Sequence, residues 1–183
     1  MRKVVSGLFI SLDGVAESPD QWQFDFDDEM AEAVMSQMEE QDAILMGRVT
    51  YQEWVDYWPT STDEPFASML NNTPKYVAST TLDKVEWSNS TLVRDVAAQV
   101  AALKQQPGKS IGVAGSPTLV RWLLQHDLLD ELRMLVHPVV AGKGKRLFGD
   151  GDALKRLTLV DAKRTSSGTA ILTYRPYSAS PEQ

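Results

Sequence analysis

The segment Ser110–Leu124 restricts the possible folds of this chain more than any other stretch. Residues of strand composition, Ser110–Ala114, run into Gly115, then Ser116 and Pro117, then a helical pattern whose Leu119, Val120, Leu123 and Leu124 share one apolar face. Serine at an N-cap followed by proline at the first helical position marks a helix start. The preceding glycine lets backbone come close to a ligand. Such a helix start, with unpaired N–H groups and the positive end of a dipole, suits a phosphate. An ordinary strand-to-helix turn carries the same marks, so this segment alone leaves both readings open. A second strand-turn-helix of similar design, Ala43–Tyr51 around Gly47, favours the ligand.

The rest of the chain alternates in the same way. Val4–Leu12, Ala43–Met46, Lys75–Ser79, Thr91–Val93 and Ser110–Ala114 have strand composition. Between them, Phe26–Gln41, Thr50–Trp54, Asp95–Gln105 and Ser116–His126 have helical patterns, and Met30, Val34 and Met38 recur every fourth residue on one face. The alternation predicts an α/β fold, a three-layer sandwich around a mostly parallel sheet. Glu131–Val140, Leu157–Arg164 and Thr169–Tyr177 then read as long strands, with a turn at Ser166–Gly168, so the C-terminal edge is expected to be antiparallel. Residues 1–177 are expected to form one domain and 178–183 a flexible tail, with Pro59–Pro74 a surface loop containing a helical piece.

Composition removes several classes of function. A chain of 183 residues can bury a core without staples, and the absence of cysteine excludes disulfides and thiol chemistry. Its net charge of −7 argues against a nucleic-acid surface. No apolar run approaches a membrane span and the start does not resemble a signal peptide, so a cytoplasmic protein is expected. No His/Asp/Glu set has metal-ligand spacing.

Four segments in order, Ser11–Gly14, Ile44–Tyr51, Gly115–Leu119 and Val139–Gly144 leading to Leu147 and Phe148, resemble the dihydrofolate reductase-like superfamily over residues 2–177. The branch they resemble is the reductase domain of bacterial riboflavin biosynthesis. The resemblance implies a dihydrofolate reductase-like sheet and NADPH as cofactor. It implies hydride transfer to a small heterocyclic substrate, a pyrimidine or ribosylamine of the 5-amino-6-(5-phosphoribosylamino)uracil type. A homodimer through the C-terminal strands is also implied. The alternatives are a dihydrofolate or pterin reductase, and an NADPH-binding module without turnover.

By this resemblance Gly47, Arg48 and Thr50 take the pyrophosphate and 2′-phosphate, Arg48 contributing a permanent planar charge. Its competing role is a pair with Glu53. Ala114, Gly115, Ser116, Pro117, Thr118 and Leu119 take the other side of the cofactor; the family commonly has two glycines where this chain has Gly115 and Ser116. Ser79 and Thr80 flank the adenine ribose or cap the next turn, and Arg94 closes over the adenine or is solvated. On the substrate side stand Asp13 and Gly14, whose carboxylate would orient an amino-heterocycle, together with Trp22 and Gly144. Asp27, five residues after Trp22, stands where folate reductases carry the carboxylate that supports substrate protonation, although acids in a first helical turn need no such role. His126 is expected to cap a helix end, and His137 to lie in the core or line the pocket. Lys143, Lys145 and Arg146, in a glycine loop that lacks P-loop spacing, are candidates to meet a substrate phosphate.

Overall fold

A computed structural model describes residues 1–178. Of the expected tail, residues 179–183 lie outside the described residues. The elements are β1 (Val4–Ser11), α1 (Asp28–Glu39), β2 (Gln41–Gly47), α2 (Arg48–Val55), α3 (Phe66–Asn72), β3 (Lys75–Ala78), β4 (Ser90–Val93), α4 (Val96–Gln105), β5 (Ser110–Ala114), α5 (Pro117–Gln125), β6 (Glu131–His137), β7 (Leu157–Arg164) and β8 (Ala170–Pro176). They build one eight-stranded sheet in the order β4-β3-β2-β5-β1-β6-β8-β7. The strands from β4 to β6 pair in parallel. β8 then runs antiparallel to β6, and β7 antiparallel to β8.

The parallel strands are apolar on both faces because helices cover both. In β2, Ala43 and Leu45 join Val4, Leu8, Ile111 and Val113 in a core closed by Val100 and Leu103 of α4 and by the Leu119–Leu124 face of α5. Ile44 and Met46 point the other way, to Tyr51, Leu70, Val77 and Trp87. The chain runs outward from β1 through β2 and β3 to β4, then returns to place β5 between β2 and β1. That reversal opens a crevice at the carboxyl ends of the strands, where ligands of open α/β sheets bind.

Several element ends differ from their predicted places. Helix α1 begins at Asp28, with Asp27 as its N-cap, and stops at Glu39. Gln41 then pairs with Ser110 in β2, and ladder bonds end the helix sooner than its apolar pattern suggests. β6 stops at His137 because Pro138 has no N–H to donate to a ladder. The β7–β8 hairpin forms at Ser166–Gly168 as expected, with Gly168 at φ +90°.

Lys75 is wholly buried. Its ammonium donates to the carbonyls of Leu70 and Thr73 at 2.7 and 2.9 Å, closing the carboxyl end of α3, and lies 4.4 Å from the Trp87 ring centroid. Burial pushes its pKa down from 10.5 to about 8. Between these values the unfolded chain binds more protons than the folded one, so this residue's contribution to stability rises with pH across that window. Denaturant titrations from pH 8 to 10.5 should therefore show wild type gaining stability relative to Lys75→Met.

Candidate active site

At the carboxyl ends of the strands lies a cleft of about 1640 Å³. The two helix starts singled out from sequence meet on its wall. Gly47 ends β2 and its N–H donates to Ser116 Oγ at 2.8 Å. The Ser116 hydroxyl donates to Thr50 Oγ1 at 2.7 Å, and the Ser116 N–H donates to the same oxygen at 3.1 Å. Backbone from β2 and β5 is thereby bolted together where α2 and α5 begin.

Ser116 does not cap its own helix. It holds φ +53° beside Gly115 at +48°, a left-handed pair of residues, and its side chain makes no cap bond. Glycine adopts this conformation without cost, whereas serine pays about 1 kcal/mol and is held there by its three bonds. The family's second glycine is thus replaced by a residue that trades conformational ease for a cross-link. Thr50, expected to offer its hydroxyl to a phosphate, spends that oxygen as acceptor for Ser116. A Cβ on Gly115 would come 3.3 Å from Thr50, so only glycine keeps this approach open.

Every residue assigned to the cofactor lines this cleft: Gly47, Arg48 and Thr50, then Ser79 and Thr80, then Ala114 through Leu119. Arg48 is not paired with Glu53. Its Nη1 donates to Gln52 Oε1 at 2.8 Å, a neutral partner, and the side chain is exposed. Ser79 Oγ accepts from the N–H groups of Thr81 and Leu82 at 3.1 and 3.0 Å, and so caps the turn while standing on the wall. Arg94 also lines the cleft, and its guanidinium donates to the carbonyls of Ser79 and Leu82, bracing the same turn.

The residues assigned to catalysis and substrate have other structural work. The Ser11 hydroxyl donates to Asp13 at 2.6 Å, and the N–H groups of Ala141 and Gly142 at 2.9 Å each, which together hold the Asp13 carboxyl down at about 2. Asp13 is the clamp that ties the Val139–Arg146 loop to the end of β1. Arg146 is bound there too, donating to the Asp13 carbonyl at 2.8 Å. Gly14 makes the turn beside it at φ +87°. Gly144, at φ +110°, presses against Val15, where a Cβ would come to 2.7 Å. Trp22 is buried, with its indole N–H on the Glu17 carbonyl at 2.9 Å and its ring edge-on to His137.

Asp27 binds the N–H groups of Met30 and Ser167 at 2.8 and 3.0 Å. Desolvation works to raise its pKa, but the hydroxyls of Ser167 and Thr165 and these N–H groups outweigh it and hold the carboxyl well below the usual range. A carboxylate kept ionised as a helix cap is poorly suited to deliver a proton, so this aspartate serves α1 and the β7–β8 hairpin instead. None of Asp13, Gly14, Trp22, Asp27 and Gly144 is on the cleft wall. Of the three loop cations, Lys145 alone is, with its Nζ 3.4 Å from Thr118 Oγ1. His126 stacks on Trp122 and caps α5 through its carbonyl at 2.8 Å. His137 is buried in the core.

The structure adds groups that sequence reasoning missed. Glu17 and Glu53 face the cleft, and burial, followed by the charges of Asp20 and Glu17, pushes the Glu53 carboxyl above its usual pKa. Phe9, Phe26 and Trp54 make aromatic walls, with Phe9 and Phe26 edge to face at 6.2 Å. Gln37 and Gln41 reach into the same space. No motif marks these residues; they become neighbours only when α1 is laid across the sheet.

The family model for the RibD C-terminal domain matches residues 2–171. The chain belongs to that family. A Bacillus subtilis (strain 168) relative, YyaP, is 29% identical over 94% of each chain. A putative riboflavin biosynthesis protein from Shewanella sp. PV-4 superposes with a TM-score of 0.78 at 20% identity, covering 96% of this chain and 99% of that one. The Thermotoga maritima diaminohydroxyphosphoribosylaminopyrimidine deaminase/5-amino-6-(5-phosphoribosylamino)uracil reductase gives 0.66 at 15% identity, with 96% of this chain matched to 57% of that longer one. The fold is therefore that of the RibD-type reductases, a dihydrofolate reductase-like sheet.

Thr50→Val would leave the buried Ser116 N–H without its acceptor, at a cost of about 1–3 kcal/mol. Thr50→Ser keeps the oxygen and should recover most of that loss; urea unfolding of the two variants measures the difference.

Proposed function

We propose that this chain is a cytoplasmic NADPH-dependent reductase of the riboflavin-biosynthesis type, acting on a nitrogen heterocycle of the pyrimidine or ribosylamine class. One observation carries this reading: two helix starts, joined by Gly47, Ser116 and Thr50, open onto a single continuous cleft along the carboxyl ends of the parallel strands. Glycine at both starts leaves room for a dinucleotide backbone, and the free N–H groups and dipoles of α2 and α5 offset phosphate charge. The residues fit NADPH, which when bound supplies the hydride.

The protein's own part is placement, exclusion of water and a proton. The first turn of α5, with Thr118 and Lys145 at its rim, holds the diphosphate side. The Ser79–Leu82 turn braced by Arg94 holds the ribose end. Arg48, bound only to a neutral glutamine, is free to pair with a 2′-phosphate. Glu53 stands on the cleft wall, where burial followed by the charges of Asp20 and Glu17 raises its pKa, and it is the carboxyl we assign to relay a proton to the reduced ring. The dihydrofolate alternative loses support because the Asp27 carboxylate serves as a helix cap.

Fluorescence titrations with NADPH and NADH test the reading. Wild type should prefer NADPH, and Arg48→Ala should weaken NADPH about tenfold while leaving NADH nearly unchanged. Equal binding of both nucleotides by wild type would remove the role of Arg48. Tight NADPH binding without turnover of any pyrimidine or pterin would instead favour the non-catalytic module.

We further propose a homodimer that pairs copies through β7, an edge strand exposed along most of its length, with Leu159 and Val160 still 49% and 43% accessible. Analytical ultracentrifugation should report twice the chain mass, and Leu159→Lys with Val160→Lys should reduce it to the monomer.

A further inference from the structure

The cleft does not end at the carboxyl ends of the strands. At about 1640 Å³ it exceeds the roughly 300–1,000 Å³ of most small-molecule sites, and its lining continues into the corner where α1, α2 and α3 meet. Against the sheet itself, the Gln37 and Gln41 side chains fill the space over Gly7 and Gly112, where a Cβ would fall 2.1 and 1.6 Å from their oxygens. The corner is walled by Met38, Ile44, Trp54, Trp58, Phe66 and Leu70. Ile44 and Leu70 belong to the buried core on this side of the sheet, and Met38, Trp54 and Trp58 pack against it. Trp54 and Trp58 stand edge to face at 6.0 Å. The Trp58 carbonyl accepts from the Asn71 amide at 2.9 Å, and the Asn71 amide oxygen accepts from the Trp87 indole at 2.7 Å, so this wall is fixed to α3 and to the segment before β4. The six side chains carry two indole N–H groups and no charge.

Charge restricts what can enter. From Val4 to Pro74, the stretch that supplies β1, α1, β2, α2 and α3, the chain has fifteen of its 25 carboxylates and one cation, Arg48. Four of those carboxylates, Glu17, Glu53, Asp63 and Glu64, line the cleft. Three of them have donors of their own: Glu17 takes the Lys145 N–H at 2.9 Å, Asp63 the Tyr57 hydroxyl, and Glu64 the Ser68 hydroxyl at 2.8 Å. The other cations that line the cleft, among the described residues, are Arg94 and Lys145. Arg94 is spent on the carbonyls of Ser79 and Leu82, and Lys145 lies beside Thr118 of α5. An anion in the corner would lose water and meet like charge.

We propose that this corner holds an uncharged apolar arm of the ring that the protein reduces, and that a phosphorylated arm is kept out. The inference rests on the reductase reading and names the substrate class of the same cleft, a heterocycle with a hydrocarbon substituent. The uracil for which the Thermotoga maritima enzyme is named carries a phosphoribosylamino group. An arm of that kind calls for cations, which α1 and α3 lack and α2 has only at its first residue. A hydrocarbon arm instead gains from every methylene that leaves water for such a wall.

The test is isothermal titration of the NADPH-saturated protein with 6-(methylamino)uracil and 6-(butylamino)uracil, and with butyl arms that end in a carboxylate or an ammonium. Affinity should rise about fourfold with each methylene from the methyl to the butyl compound. The carboxylate-ended arm should bind about tenfold more weakly than butyl, and the ammonium-ended arm should bring no gain over it. Trp58→Lys should lower affinity for the butyl compound about tenfold and raise it for the carboxylate-ended one, an exchange that lost packing alone would not produce. Trp58→Phe keeps an apolar ring in place and should retain the wild-type order. Equal affinity for the methyl and butyl compounds overturns the apolar pocket, as does binding of none of the series. A carboxylate-ended arm as tight as butyl, or an ammonium-ended arm tighter than it, overturns the uncharged arm. NADPH binding is measured separately: if NADPH binds and the series is flat, this inference alone fails, whereas failure of NADPH removes the reductase reading and this inference together.

Discussion

The hydrogen bonds among Gly47, Ser116 and Thr50 are the junction on which the rest of this molecule depends. Two neighbouring parallel strands each end in a helix, and each helix must leave the sheet without closing the crevice between them. The Ser116 hydroxyl satisfies a β2 donor and binds an α2 oxygen while its own N–H reaches the same oxygen, so both turns are fixed by one side chain. In a buried position such bonds are expensive to break, because each partner left behind would lack water as a substitute. The cleft is therefore preformed, and the cost of shaping it is met by folding rather than by ligand binding.

A second division of labour follows. Acidic residues near the cleft separate into those that hold the scaffold and those that face open space. Asp13 and Asp27 accept several N–H bonds each and tie distant segments together, the loop after β6 in one case and the β7–β8 hairpin in the other. Their low proton affinity is the electrostatic result of those donors. Glu17 also accepts a backbone N–H, that of Lys145 at 2.9 Å, whereas burial, followed by the charges of Asp20 and Glu17, raises the proton affinity of Glu53 on the cleft wall.

The wall of the cleft built by the two helix starts was legible in the chain because its chemistry is local. A strand, a glycine, a small hydroxyl residue and a helix start within a few positions state both their conformation and the ligand charge they favour, and Gly47, Gly115 and Ser116 stand where that pattern puts them. The aromatic end under α1 was not legible. Trp22 and Asp27 have a familiar spacing, but spacing along a chain does not say which way a side chain turns once Asp27 caps α1. Gln37 and Gln41 carry no motif, and their relation to Gly7 and Gly112 joins residues from three separated segments.

Local composition by itself determined the alternation of strands and helices, the antiparallel C-terminal edge and the two helix starts that suit phosphate, because hydrophobic period, glycine freedom and capping act over a few residues. Only the tertiary structure decided that Ser116 is a cross-link rather than a cap, that Asp13 and Asp27 are clamps, and that two glutamines lie over two glycines in an aromatic chamber. Those facts depend on contacts between residues up to 140 positions apart. Packing settles such partners, and no pattern within a single stretch of chain encodes them.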